Sequence, residues 1–333
     1  MRRNQKLHLR DTRSRRNTRR SMTKGGRILT AMSAALFILA LVFLVRYTMD
    51  TVSAQSLQKE MKETYASAQA AQTAPETPIQ TAVPQPEALS SDQQPEPVPP
   101  SEQPQASAAP EVPQNTAPAS GNVIAAELLP LYAKNKDLAG WLTSDAVTDI
   151  DFAVVLRDNS FYLDHDFYKR DSLSGCVFLD EQSRILPRSD NLILHGHNMK
   201  NGTMFGKLYK YLELDTVLNT PLLRFRTLYE PGAYIPYAVS IVSIDPASPR
   251  YVSLLHPAFD EVTTLENYAN NIRRFSSFYL PVEVAAGDKL LTLVTCHGNE
   301  EDERLVVALR QQRPGEDLDA VKALFREKTT KTP

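Results

Sequence analysis

At 333 residues the chain has room for one or two domains. Its net charge of -2 conceals a split: residues 1–27 hold 11 Lys/Arg against one acid, Asp11, and the remainder holds 26 Lys/Arg against 38 Asp/Glu. A basic end followed by an acidic body of net charge -12 points to a membrane between the two, not to a chain that binds nucleic acid along its length.

In chain order, residues 1–27 form a basic arm, and "ILTAMSAALFILALVFLV" (28–45) follows as 18 residues without a charge, a proline or a glycine. At a rise of 1.5 Å per residue, roughly 20 residues cross a hydrocarbon core of ~30 Å. A soluble core helix of this length normally shows a polar face, and this run has none. The Lys/Arg excess on its N-terminal side predicts a cytoplasmic N-terminus and a body outside the cell membrane. A cleaved signal peptide is the alternative, and "VSAQS" (52–56) resembles a weak cleavage site. The apolar run is longer than the usual ~7–15 residues of a signal peptide. The expectation is therefore a single-pass signal anchor over 28–46. Beside such a helix, topology and anionic lipid account for the basic arm, so no nucleic-acid partner is expected.

Composition assigns 47–121 to a disordered Pro/Gln/Ala-rich tether. Twelve of the 23 prolines lie between Pro75 and Pro118, and no aromatic residue occurs between Tyr65 and Tyr132. Such a segment buries too little apolar area to offset its ordering entropy.

The folded unit expected from this division is 122–315. It opens with a helical pattern over 122–142. Short β-rich runs follow at 152–156, 175–180, 191–196, 222–227, 233–244, 280–284, 289–296 and 304–310. Eight strands separated by Pro, Gly, Asn and Asp signals predict a mainly β fold, a closed barrel or a sandwich. Short helices are expected at 203–212 and 262–274, and the tail 316–333 holds one more helical pattern at 316–328.

Only two cysteines are present, and a disulfide between Cys176 and Cys296 is one reading of them. Their surroundings differ. Cys176 opens the apolar "CVFLD" and reads as a buried structural thiol. Cys296 ends "KLLTLVTC" and meets the polar loop "HGNEEDE", the kind of strand end where barrels present chemistry. A thiolate nucleophile needs a base or cationic partner. His297 is adjacent, but neighbours on a strand point to opposite faces. The stretch "NLILHGHNMKNGTMF" (191–205) offers His195 and His197 at another strand end, with Gly196 allowing close approach. The pair reads either as metal ligands or as a base with a bystander. His8, His165, His256 and His297 show no third-ligand spacing. Arg304, eight residues after Cys296, begins the next strand, and a hairpin-like return brings it back beside the thiol. There it serves either as an oxyanion donor or as a surface partner of Glu300, Glu301, Asp302 and Glu303.

Several of these segments together resemble a known family. "LHGHNMKNGTMFGKL" (194–208) is similar to the glycine-histidine-asparagine-methionine segment of class B sortases, and "TLVTC" (292–296) to their strand ending in the nucleophile. "LRDNSFYLDHDF" (156–167) and "GCVFLDEQ" (175–182) look like two further segments of that family, in the same order. The resemblance implies a closed eight-stranded sortase-type barrel with an N-terminal helix, and a cysteine transpeptidase on a Gram-positive surface. It implies His197 as the catalytic histidine, Cys296 as the nucleophile and Arg304 as the arginine. Asn159, Leu163 and Thr295 fall at positions implied to meet the sorting peptide. His195 becomes a neighbour, with no metal and no cofactor. The implied partners are a surface-protein sorting peptide and an amine acceptor from peptidoglycan or a pilin.

Two rival enzymes use Cys and His. Papain-like peptidases place cysteine before histidine, the reverse of the order here. The L,D-transpeptidase cysteine motif is faintly present in "SLSGCVF", with Phe178 where an arginine is expected. A rival of another class is a catalytically silent, tethered binding module with its cysteines joined.

Overall fold

The computed structural model describes residues 24–73, 123–219, 222–261, 263–298 and 301–332. The basic arm up to residue 23 and tether residues 74–121 lie outside this set. The first element is α1 (Lys24–Thr73). Its residues 28–45 are exposed, and it contains a window of mean hydropathy 2.8. By length and composition α1 is able to cross a membrane.

This helix does not stop where the tether was expected to begin. It continues to Thr73, short of the first proline of the run at Pro75. Leu57, Met61 and Tyr65 recur every fourth residue and form one apolar stripe. A composition average over a polar segment dilutes such a stripe. Leu57 and Met61 are buried, and the Tyr65 ring stacks on Trp141 with centroids 4.6 Å apart. Polar contacts flank the stripe. Glu60 accepts from Lys134 at 2.9 Å and from the Tyr168 hydroxyl at 2.7 Å. Asp50 accepts from the Leu173 amide at 3.0 Å and the Ser174 hydroxyl at 3.1 Å. The chain accordingly divides into two units inside the helix, after Met49. Tyr65→Ala is expected to cost about 2 kcal/mol, from lost burial and stacking. For a domain of this size that lowers Tm by about 4–8 °C. A thermal melt of the variant checks it, and an unchanged midpoint means that residues 50–73 add nothing to the fold.

After a 3-10 turn at Ala126–Leu128 comes α2 (Leu129–Lys134), then β1 (Leu138–Ser144). The helical reading of 122–142 is corrected here. The Asn135 side-chain amide donates to the Tyr162 hydroxyl and the Phe167 carbonyl, both at 2.9 Å, and the chain leaves the helix at that point. Gly140 then lies so close to the strand Leu223–Thr227 that a Cβ would sit 2.2 Å from the Arg226 carbonyl oxygen. β1 is paired on both edges and almost wholly buried, so it carries no alternation to distinguish it from a buried helix.

The other strands are β2 (Asp151–Leu156), β3 (Val177–Leu179), β4 (Asn191–His195), β5 (Leu223–Thr227), β6 (Ala233–Ser243), β7 (Phe278–Tyr279), β8 (Leu290–Cys296), β9 (Glu303–Gln311) and β10 (Thr330–Lys331). Eight of them close a barrel in the order β1-β2-β3-β4-β8-β9-β6-β5, with β5 returning to β1. Closure leaves no open sheet edge. The pairs β2/β3 and β4/β8 are parallel.

The predicted strand at 280–284 is not among the eight. Leu280, Val282 and Val284 are buried in the expected alternation. Pro281 has no N–H to give a ladder, and the Arg273 guanidinium takes the Val282 carbonyl. The segment is extended and packed but unpaired. The helical expectations are met by a 3-10 helix at Phe205–Leu212 and, beyond the unpredicted α3 (Leu214–Asn219), by α4 (Leu265–Arg273) and α5 (Leu318–Lys328). The last belongs to the fold: Phe325 is fully buried, and β10 pairs with β7.

Candidate active site

Three neighbouring strands bring the predicted residues to one rim of the barrel. β4 and β8 run parallel with His195 opposite Val294, and the Gly196 amide donates to the Val294 carbonyl at 3.3 Å. β4 ends at His195 and β8 at Cys296, so His197, two residues past the end of β4, lies at the same end of the barrel as the thiol. On the other side of β8, Cys296 is paired directly with Arg304 of β9. Directly opposed residues share one face of the sheet. Residues about a hundred positions apart thus reach one rim because adjacent strands end at the same height.

Gly196 permits the turn out of β4. A Cβ there would lie 2.9 Å from the Phe205 ring and 3.3 Å from Val177. Beyond the turn, His197 donates through Nε2 to the Leu163 carbonyl at 2.7 Å. That bond orients the imidazole and leaves Nδ1 for proton exchange. Leu163 therefore acts on the histidine through its backbone, while its side chain is 42% exposed beside it.

Two residues expected to meet a peptide are engaged within the protein. Thr295 is 1% exposed, and its hydroxyl donates to the Gly196 carbonyl at 2.7 Å, bracing the base of the histidine loop. The alternation of β8 turns it to the face opposite Cys296. Asn159 donates through Nδ2 to Asp180 at 2.9 Å and accepts from the Glu181 amide at 2.9 Å. Its amide ties the loop after β2 to the end of β3.

His195 and His197 have different partners. His195 Nε2 meets the fully buried Asp180 carboxylate at 3.2 Å. Burial pushes the Asp180 carboxyl up, but His195, the Gln182 amide and Asn159 more than offset this and hold it below the usual carboxylate range. His195 is a bracing residue on this geometry. Asp180 was not singled out from sequence, although it lies within "GCVFLDEQ". An acid ending an apolar strand was its signal.

Both cysteines are free, Cys176 buried and Cys296 exposed. Burial pushes the Cys176 thiol far up, so it stays protonated and unreactive. The joined-cysteine reading of a silent module does not fit two free thiols in such different settings. Arg304 donates through Nη1 to the carbonyls of Glu301 at 2.5 Å and Glu303 at 3.0 Å, and among the described residues it pairs with no acidic side chain of its loop. His297, directly after the thiol, turns to the Tyr209 ring, stacked at 5.4 Å. Its backbone amide is held by the Glu303 carbonyl at 2.9 Å.

A sortase-domain family model matches residues 147–312. Sortase B of Listeria monocytogenes is 32% identical over 179 residues, which are 54% of this chain and 70% of the relative. The chain belongs to the sortase family. The crystal structure of Bacillus anthracis sortase B in complex with AAEK2 matches this sortase with a TM-score of 0.52 at 26% identity, over 59% of this chain and 86% of that one. A Clostridium perfringens sortase B structure matches at 0.50 and 25%, over 55% and 98%. The eight-stranded barrel is thus the sortase barrel. The family-model span runs from just before β2 to the end of β9 and includes His197, Cys296 and Arg304. In this sortase α1, α2, β1 and α5 lie outside it.

Proposed function

We propose that this sortase is a membrane-anchored cysteine transpeptidase that cleaves a C-terminal sorting signal through a thioester on Cys296. The carrying observation is the exposed free thiol of Cys296, in register with Arg304 and at the barrel end where His197 follows β4. Residues 28–46 hold the protein in the cell membrane, with the basic arm cytoplasmic and the barrel outside. Asn159 shapes the groove wall beside Leu163 by fixing its loop.

The Cys296 thiolate attacks the carbonyl carbon of the scissile peptide bond. A C–S bond forms, and the carbonyl oxygen becomes an oxyanion. As the intermediate collapses the C–N bond breaks, and His197 gives its proton to the departing amine. An acceptor amine from peptidoglycan or a pilin lysine then attacks the thioester. His197 takes the proton of that amine, the new C–N bond forms and the thiolate leaves. No metal or cofactor enters this scheme. The Leu163 carbonyl fixes the imidazole through Nε2, so Nδ1 is the nitrogen left to exchange the proton.

Arg304 carries more of the oxyanion than a strand-end arginine alone implies. The amide directly after the nucleophile, that of His297, is already committed to the Glu303 carbonyl. A guanidinium with one nitrogen tied to two carbonyls presents its other donors in a fixed plane. Arg304→Lys is therefore expected to behave like Arg304→Ala, with acylation slowed about 10²-fold. Single-turnover acylation checks this, and near-wild-type acylation by the lysine variant reduces Arg304 to diffuse charge.

The test of the whole reading uses the full chain in detergent micelles and a library of sorting-type peptides. Mass spectrometry of the trapped acyl-enzyme is expected to place the adduct on Cys296. An adduct on Cys176, or turnover with no adduct on either thiol, sinks the proposal.

A further inference from the structure

The 3-10 helix Phe205–Leu212 carries Tyr209, half-buried against the same rim. Its hydroxyl oxygen has three partners. Asn198 donates to it through Nδ2 at 3.3 Å, and the Gly298 amide donates at 3.2 Å. His297 lies on it through Nδ1 at 2.9 Å. A phenol has one hydrogen and two lone pairs. The two N–H donors occupy the lone pairs, so the hydroxyl hydrogen goes to His297 Nδ1. The oxygen is saturated, and each of its bonds ends next to the chemistry. Asn198 directly follows His197, and His297 and Gly298 directly follow Cys296.

We propose that Tyr209 is a positioning residue that holds the histidine loop against the cysteine loop through its hydroxyl. The inference rests on reading His197 and Cys296 as the reacting pair. The histidine loop leaves the barrel at Gly196, and the cysteine loop turns at Gly298 with φ +60°. The Thr295 hydroxyl ties β8 to the Gly196 carbonyl, and Tyr209 adds a second tie one step further out, between the residues that follow His197 and those that follow Cys296. Tyr209 also caps His297, which keeps that ring turned away from the thiol. Nothing in the sequence marks the tyrosine, because the three groups that it joins come from segments some 90 residues apart.

Iodoacetamide supplies a test that needs no peptide substrate. It alkylates thiolate, and the buried Cys176 is out of its reach. In the full chain at neutral pH, Tyr209→Phe keeps the ring and removes only the hydroxyl. The rate of alkylation at Cys296 is expected to fall about fivefold, the scale of one net hydrogen bond, with Tm within about 2 °C of wild type. The same substitution in a His197→Ala background is expected to change nothing further, because Tyr209 acts through the histidine. Asn198→Ala, which breaks the bridge from the other side, is expected to reproduce the loss and serves if Tyr209→Phe folds poorly. A Tyr209→Phe rate equal to wild type overturns the inference, and so does an undiminished effect in the His197→Ala background. His197→Ala without any effect on Cys296 alkylation overturns instead the reading of the reacting pair.

Discussion

Cys296→Ala is expected to abolish thioester formation, with a loss on the order of 10⁴-fold or more, the scale seen when a covalent nucleophile is removed. The fold should not notice. The side chain is exposed at the end of β8, and its strand is already paired with β4 and β9 below it. Cys176→Ala is expected to behave in the opposite way. Its thiol is buried at the start of β3, so truncation costs about 1–2 kcal/mol of packing and leaves the acyl-enzyme yield intact. Peptide cleavage and melting temperature, measured on both variants, give the comparison. Cleavage that survives the loss of Cys296 and disappears with Cys176 inverts the assignment.

His197→Ala is expected to slow acylation by about 10²–10⁴-fold, the contribution of one positioned acid–base group. His195→Ala is expected to keep most of the activity and to lose stability. The two residues have the same chemistry two positions apart, and their surroundings decide. His197 has turned out of β4 past Gly196 and donates to the Leu163 carbonyl, at the rim where β8 ends in the thiol. His195 is still in the strand and faces Asp180, whose carboxylate is left buried without its main partner when the imidazole is removed. Acylation rates and urea midpoints of the two variants separate the roles. Equal kinetic losses at both positions, restored by added zinc, favour a metal pair.

How far this protein was legible in its sequence depended on the range of the interactions. Local signals were sufficient for the apolar helix over 28–45, whose length and lack of charge need no partner to be read. They also sufficed for β2, β4, β6, β8 and β9, where apolar runs end at turn residues, and for the exposed and buried settings of the two cysteines. The order histidine, cysteine, arginine, with the segments around it, was enough to recognise the family. Composition failed where one stripe mattered more than the average: Leu57, Met61 and Tyr65 pack residues 50–73 onto the barrel within a segment that reads as tether. Periodicity failed at both ends of the eight-strand count. β1 is buried on every side and so shows no alternation, and 280–284 alternates well without a strand beside it.

The assignments within the site needed the tertiary structure. Thr295 and Asn159 were candidates to meet a peptide, and their hydrogen bonds to the Gly196 carbonyl and to Asp180 use them as braces. Asp180 and Tyr209 bind partners 15 and 88 residues away in the chain. The sequence by itself determined which residues have the right chemistry and in which strands they end. The parallel register of β4 on β8 and the antiparallel register of β9 decided which of them meet, because hydrogen-bonded neighbours in a sheet are selected by pairing across the barrel and not by distance along the chain.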